Sequence, residues 1–174
     1  INSSNIGSAL MAQHVGEKNL KSFFSDLGLM EKMDFDIFEI GAPLLPNPWA
    51  NSTTATISYG HGLSVTAMQV CAAMATVVNG GFQVKPKLTK HENKYALPMS
   101  FRIMSEDTSE KMRKLLRLNV TNGTGKNAEV EGYYVGGKTG TAEKSAGKKG
   151  YDRKRLLSSF IAAFPMDDPE YIVY

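Results

Sequence analysis

The sequence contains a single cysteine, Cys71. No disulfide can close within the chain and no cysteine-based zinc cluster can be assembled, while the redox compartment is left open. The three histidines, His14, His61 and His91, lie far apart with no Asp or Glu at ligand spacing, so no metal site is expected and nothing calls for a cofactor. Charge of one sign is also lacking. The 20 Lys and Arg stand against 17 Asp and Glu, a balance that argues against nucleic acid as a partner, because such proteins gather basic charge on one face. There is no long hydrophobic run. The longest, Leu63 to Val78, is interrupted by Ser64, Thr66, Gln69 and Thr76 and falls short of the roughly 20 residues that cross a bilayer. It reads as a buried helix, with Cys71 in the core. What is present is an ordinary apolar share, 42% of 174 residues, which suits one globular domain without internal repeats.

Helical periodicity is clear in four places. "IGSALMAQHVG" spaces Ile6 and Leu10 on one face and stops at Gly16, and "EKNLKSFFSDLGL" places Leu20, Phe23, Phe24 and Leu27 at i, i+3, i+4 and i+7 before Gly28 as a C-terminal cap. These predict a helical hairpin. The third is the 63–78 helix. The fourth starts after Ser105 as N-cap, with acids in its first turn, basic residues later, and Met112, Leu115 and Leu116 on one face. Between Met33 and Thr56 the pattern breaks, and Pro43, Pro46 and Pro48 predict a long irregular arm. "FQVKPKLTKHENKYA" reads as a short hairpin or extended excursion, and "TNGTGKNAEVEG" as a glycine-rich turn region. Three strand-like segments close the chain: Lys138 to Glu143, Leu156 to Phe164 and Tyr171 to Tyr174.

The stretch "YVGGKTGTAEK", Tyr134 to Lys144, has two chemical readings. With Gly132 it satisfies G-x-x-x-x-G-K-T, a phosphate-binding loop. That loop must leave a hydrophobic strand and open a helix. Here "NAEVEGYY" precedes it and "TGTAEKSAGKKG" follows, so a helix from Lys138 would cost about 1 kcal/mol per glycine with no apolar face to offset it. A P-loop NTPase is therefore a remote alternative. On a strand, Lys138, Thr139 and Thr141 instead supply a cation and hydroxyl donors for a substrate carboxylate, and Gly140 lets a substrate backbone approach the strand edge. Acyl transfer also needs a backbone N–H aimed at the developing oxyanion, worth about 3–4 kcal/mol in comparable sites, and the Thr141 N–H is the candidate.

A second element lies far upstream: Ser3-Ser4-Asn5, a Ser-x-Asn triplet just before a helix, where simple capping by Ser or Asn is the competing explanation. Ser-x-Asn with Lys-Thr-Gly belongs to the set used by penicillin-binding proteins and class A β-lactamases. Together with "YGHGLSVTAMQVCAAMATVVNGGFQVKPKL" and "TNGTGKNAEVEGYYVGGKTGTAEK", these motifs resemble class B penicillin-binding proteins, the monofunctional peptidoglycan transpeptidases, particularly the septal type. The resemblance spans nearly the whole chain. It implies an α+β fold, a mainly antiparallel sheet flanked by helices plus an all-helical subdomain, with the active site between them. It also implies a D,D-transpeptidase acting on stem peptides ending in D-Ala-D-Ala and acylated by β-lactam antibiotics. Ser3 would relay a proton, Asn5 would hold the acyl-side amide, Lys138 would hydrogen-bond Ser3 and add positive potential, and Thr139 and Thr141 would grip the carboxylate beside Gly140. Partners by resemblance are a glycosyltransferase and other division or elongation proteins. The membrane would be reached only through an N-terminal anchor outside the chain, with this domain facing the periplasm from the inner membrane.

The family's nucleophile lies in a Ser-x-x-Lys motif upstream of Ser-x-Asn. The one match in this chain is Ser145 to Lys148, after the Lys-Thr-Gly-Thr strand in a glycine- and lysine-rich loop. It lacks the helix N-terminus that would bring the lysine, one turn on, to bear as a base. Ile1 opens the chain and "EYIVY" closes it like a strand only begun. The expectation is a single partial transpeptidase domain over 1–174, lacking the upstream Ser-x-x-Lys segment and the C-terminal end, and forming no acyl-enzyme alone. A non-catalytic sensor or scaffold domain that binds β-lactam or peptidoglycan, and a serine β-lactamase, are the alternatives within the same motif set.

Overall fold

The computed structural model describes residues 1–89, 101–145 and 151–174, without the side chains of Asn51, Lys144, Ser145, Tyr151 and Arg153. His91, the second half of the expected 82–96 excursion and most of the Ser145–Lys148 match lie outside the described residues. Among the described residues, five α-helices, a single 3-10 turn at Lys126–Ala128 and three strands form an α+β arrangement: α1 (Asn5–Val15), α2 (Glu17–Asp26), α3 (Asn51–Ser58), α4 (Ala67–Val78), α5 (Glu106–Asn122), β1 (Gly136–Ser145), β2 (Tyr151–Phe164) and β3 (Tyr171–Val173).

α1, α2 and α3 pack on one another. Their ends follow the expected glycines. Gly16, at φ 83°, caps α1 by donating to Ala12 O. Gly28, at φ 74°, closes α2, its N–H donating to Ser25 O while the Leu29 N–H reaches Phe24 O, the paired bonds of a left-handed helix terminus. The third helix corrects the expectation of an irregular arm through Thr56. Asn, Ser and Thr are weak helix formers, so no local signal announces α3. The surroundings hold it instead: Thr53 Oγ1 accepts from the Ala50 N–H at 3.0 Å, Trp49 Nε1 donates to Thr54 Oγ1 at 3.0 Å, and Thr54 and Ile57 are buried.

The other half is a three-stranded antiparallel sheet in the order β1-β2-β3, with α4 and α5 packed against it. Met74 and Val78 from α4, Leu116 from α5, Ala163 from β2 and Met166 just beyond it form the core. α4 starts later than the apolar run suggests, because Thr66 and Gln69 build a reciprocal capping box. The fully buried Gln69 also donates to Gly28 O and Glu31 O, tying the exit of α2 to the start of α4. In α5, Ser105 caps as expected, but Leu116 is buried while Leu115 is 54% exposed. The buried stripe runs through Ser109 and Asn119 as well as Leu116 and Val120, so two polar residues occupy positions that hydrophobic spacing assigns to apolar ones.

Lys138 lies inside β1, opposite Ile161. No helix begins there, which overturns the P-loop alternative: the phosphate loop needs a helix N-terminus at that position.

Candidate functional site

β1 is the edge of the sheet among the described residues, and its glycines explain how it is seated. A Cβ on Gly136 would lie 2.2 Å from Met166 Cε, and one on Gly137 would lie 2.4 Å from Ile161 O and 2.6 Å from Phe160 Cζ. Neither position has room for a side chain. A Cβ on Gly140 would stand 2.7 Å from Ser159 Oγ, so this glycine is called for by its own partner strand as well as by the approach of a substrate.

Backbone groups of alternate strand residues face the same edge. The Gly137 carbonyl accepts from Asn119 Nδ2 at 2.8 Å, away from β2, so Thr139 and Thr141 present their N–H and C=O groups to that edge too. The Thr139 carbonyl accepts from Lys138 Nζ at 2.7 Å, and Thr139 Oγ1 lies 3.3 Å from the same ammonium. No carboxylate pairs with Lys138 among the described residues. Partial burial of the ammonium pushes its pKa below the usual lysine value, since desolvation disfavours the charged form. The result is a partly dehydrated cation, already turned onto a row of hydroxyls, beside a strand edge with free amides. Such an arrangement suits an anionic, peptide-like ligand.

The Thr139 hydroxyl is itself held. Thr124 Oγ1 lies 2.9 Å from it, and behind Thr124 stands Asn119, only 3% exposed, whose Oδ1 accepts from the Thr124 amide and hydroxyl at 3.3 and 3.2 Å. Sequence reasoning missed both residues, leaving Asn119 as an unremarked position of the helix after Ser105 and Thr124 within the 121–132 turn region. The available signal was an Asn in the last turn of a helix followed by two glycines: a Cβ on Gly123 or Gly125 would lie 2.5 or 3.0 Å from the Asn119 side chain. Just before β1, Arg117 grips Glu129 with both terminal nitrogens, donates to Val135 O at 2.8 Å and stacks on the Tyr134 ring. The salt bridge lowers the Glu129 pKa.

Ser3 and Asn5 stand at the head of α1, exposed. The middle residue of the triplet does the capping: Ser4 Oγ accepts from the Gly7 amide at 3.1 Å. The hydroxyl of Ser3 and the amide of Asn5 are thereby spared from that task, and neither has a hydrogen-bond partner among the described residues. No hydrogen bond or ion pair joins them to Lys138, Thr139, Gly140 or Thr141, which are carried by a different half of the molecule. The two halves do meet at a cavity of about 360 Å³, lined by Ile57, Tyr59 and Gly60 on the helical side and by Gly140, Thr141 and Ser159 on the sheet side.

Comparison with known proteins gives this geometry a context. A family model described as the penicillin binding protein transpeptidase domain matches residues 1–174. The chain is 39% identical over 171 residues to a Caulobacter vibrioides protein named "Probable peptidoglycan D,D-transpeptidase FtsI", covering 96% of this chain and 29% of that one. The transpeptidase domain of Burkholderia pseudomallei penicillin-binding protein 3, solved in apo form, superposes with a TM-score of 0.89 at 33% identity, over 97% of this chain and 51% of that one. Penicillin-binding protein 3 from Mycobacterium tuberculosis, solved in complex with aztreonam, superposes with a TM-score of 0.86 at 28% identity, over 98% of this chain and 42% of that one. The chain thus spans under a third of its curated relative and about half of the solved transpeptidase domain.

Proposed function

The chain belongs to the penicillin-binding protein transpeptidase family, and from that premise we propose that it supplies two of the three active-site elements of a peptidoglycan D,D-transpeptidase. The third, a Ser-x-x-Lys nucleophile, is contributed from outside these residues, and 1–174 form part of one transpeptidase domain. In the reaction, the serine Oγ attacks the carbonyl of the penultimate D-Ala. The C–O bond forms, the C–N bond breaks, and D-Ala departs with the proton relayed through Ser3. An amine of a neighbouring stem peptide then attacks the ester, restoring the serine and completing the cross-link. Asn5 holds the amide on the acyl side. Lys138, Thr139 and Thr141 hold the terminal carboxylate, Gly140 admits the substrate backbone, and the Thr141 N–H faces the oxyanion. β-Lactams acylate the same serine.

What supports this reading most is the open edge of β1: a partly buried ammonium without a carboxylate partner, next to hydroxyls and free amides that fit a peptide carboxylate. The protein's place, on this reading, is the cell envelope, with cell division as its setting and a glycosyltransferase and division or elongation proteins as partners. Among the described residues no helix is long and apolar enough to cross a membrane. A fluorescent penicillin followed by denaturing electrophoresis tests the proposal. The 174 residues alone should carry no covalent label, whereas the longer polypeptide should be labelled and lose the label when Lys138→Ala is introduced. Label on the isolated chain, or labelling of the longer protein that ignores Lys138→Ala, would refute it.

A further inference from the structure

The Lys138–Thr139 pair is joined to the end of α5 by hydrogen bonds whose direction can be read from one buried residue. Gly137 O can only accept, so the group of Asn119 that meets it must be the amide nitrogen. That fixes the side-chain oxygen toward Thr124, where it accepts from both the backbone N–H and the hydroxyl. A hydroxyl has one proton. With the Thr124 proton committed to Asn119, the 2.9 Å contact between the two hydroxyls has Thr139 as the donor. Thr139 therefore turns its lone pairs toward Lys138, which donates to it. The row runs Lys138 to Thr139 to Thr124 to Asn119, each donating to the next. A Cβ on Gly123 or Gly125 would lie 2.5 or 3.0 Å from the Asn119 side chain, so the two glycines leave the room that it occupies.

We propose that Asn119 is a positioning residue for the carboxylate-binding edge, acting through Thr124 to set the orientation of the Thr139 hydroxyl and, with it, the seat of the Lys138 ammonium. The proposal rests on the transpeptidase reading and adds to it a cause for the edge's geometry. It has a chemical consequence: in the resting site the Thr139 proton points inward, so Lys138 and Thr141 meet an incoming carboxylate first, and Thr139 joins only by giving up its bond to Thr124.

The test uses the longer polypeptide, active toward fluorescent penicillin, and measures the second-order acylation rate beside the melting temperature. Thr124→Val keeps the shape but removes the hydroxyl and should slow acylation about tenfold, the worth of one hydrogen bond, with the melting temperature held. Thr124→Ser restores the hydroxyl and should recover the rate to within about threefold of the parent. Asn119→Asp keeps the acceptor for Thr124 but sets a second oxygen against Gly137 O, and should slow acylation at least as much as Thr124→Val. Should Asn119→Asp fail to fold, the Val and Ser pair decides alone. Unchanged acylation in Thr124→Val, or equal loss in Val and Ser, overturns the proposal. Lys138→Ala separates the two levels: if it abolishes labelling while Thr124→Val is silent, only this inference fails, and if Lys138→Ala is silent too, the transpeptidase reading fails with it.

Discussion

The two halves of the candidate site are held by different physics. Lys138 to Thr141 ride on a strand whose glycines are closed in by Met166, Phe160 and Ile161, whose start is pinned by Arg117, and whose hydroxyl row ends in a buried amide. Ser3 and Asn5 ride on the head of α1, where the local restraint is one exposed serine cap, and the helix shows Ile6 and Leu10 at 75% and 62% exposure. Among the described residues, then, the Lys138–Thr141 elements are preorganised by the chain's own core and the Ser-x-Asn elements are only pointed. Preorganisation matters because donors already in place lose no free energy in reorienting when charge develops.

Core truncation should separate the halves most sharply. Leu116, buried in the cluster beneath the sheet, should cost about 2–5 kcal/mol when cut to Ala. Leu10→Ala on α1, at a solvent-facing position, should stay within about 0.5 kcal/mol. Urea titration of both variants measures the difference, and comparable losses would erase the contrast.

Glycine replacement follows in size. Gly137→Ala drives a methyl into the Ile161 carbonyl and the Phe160 ring and should cost about 1–3 kcal/mol, as overpacking does. Gly7→Ala in α1 meets only the Ser4 side chain, its Oγ at 3.4 Å and Cβ at 3.5 Å, and the gain in helix propensity should stabilise by up to about 1 kcal/mol. The two substitutions are chemically identical, so opposite signs in thermal melts would locate the difference in the surroundings. A smaller, local effect is expected from Ser4→Ala, which removes the cap of α1 and should cost about 1 kcal/mol, read as faster amide exchange in the first turn of α1 with β1 unaffected. Ser3→Ala should leave that exchange unchanged.

The same division explains what the sequence could disclose. Where structure is local, it was legible: Gly16 and Gly28 ended their helices, Ser105 began α5, and the strands around Lys138 and Tyr171 emerged within about two residues of their observed bounds, whereas the second strand starts at Tyr151, inside the expected charged loop, and not at Leu156. The α+β class followed from the motifs and the resemblance they carry. Where structure depends on distant partners, the pattern was silent or misleading. α3 is made of weak helix formers fastened by Trp49 and Thr53. The buried face of α5 carries Ser109, whose hydroxyl donates to Val77 O, and Asn119, so counting apolar residues picked Leu115 wrongly. The Lys138 region was singled out by spacing and context, yet Thr124 among its glycines and Asn119 within α5 went unmarked, because their meaning lies in what they touch.

The last and smallest effect concerns protons, and it tests whether the sheet half is charged as well as rigid. The folded-state pKa of Lys138 lies below its ordinary value of 10.5 because burial disfavours the ammonium. Below the folded pKa, both folded and unfolded chains hold the proton and the burial penalty is in full force. Between the folded pKa and 10.5 the unfolded chain binds more protons, so stability should rise with pH. Carboxylate binding should move the other way across the same window, since the neutral amine no longer attracts an anion. A peptide ending in D-Ala-D-Ala, titrated against the longer polypeptide at increasing pH, should lose affinity at the alkaline end. Lys138→Arg, with a guanidinium that stays protonated, should retain affinity through the window, and Lys138→Met should remove both the binding and the alkaline gain in stability. Binding and stability that rise or fall together would mean that Lys138 is not the titrating group. Opposed slopes, abolished by Lys138→Met, would place the anion-binding charge on β1, leaving Ser3 and Asn5 at the head of α1 to act on the rest of the substrate.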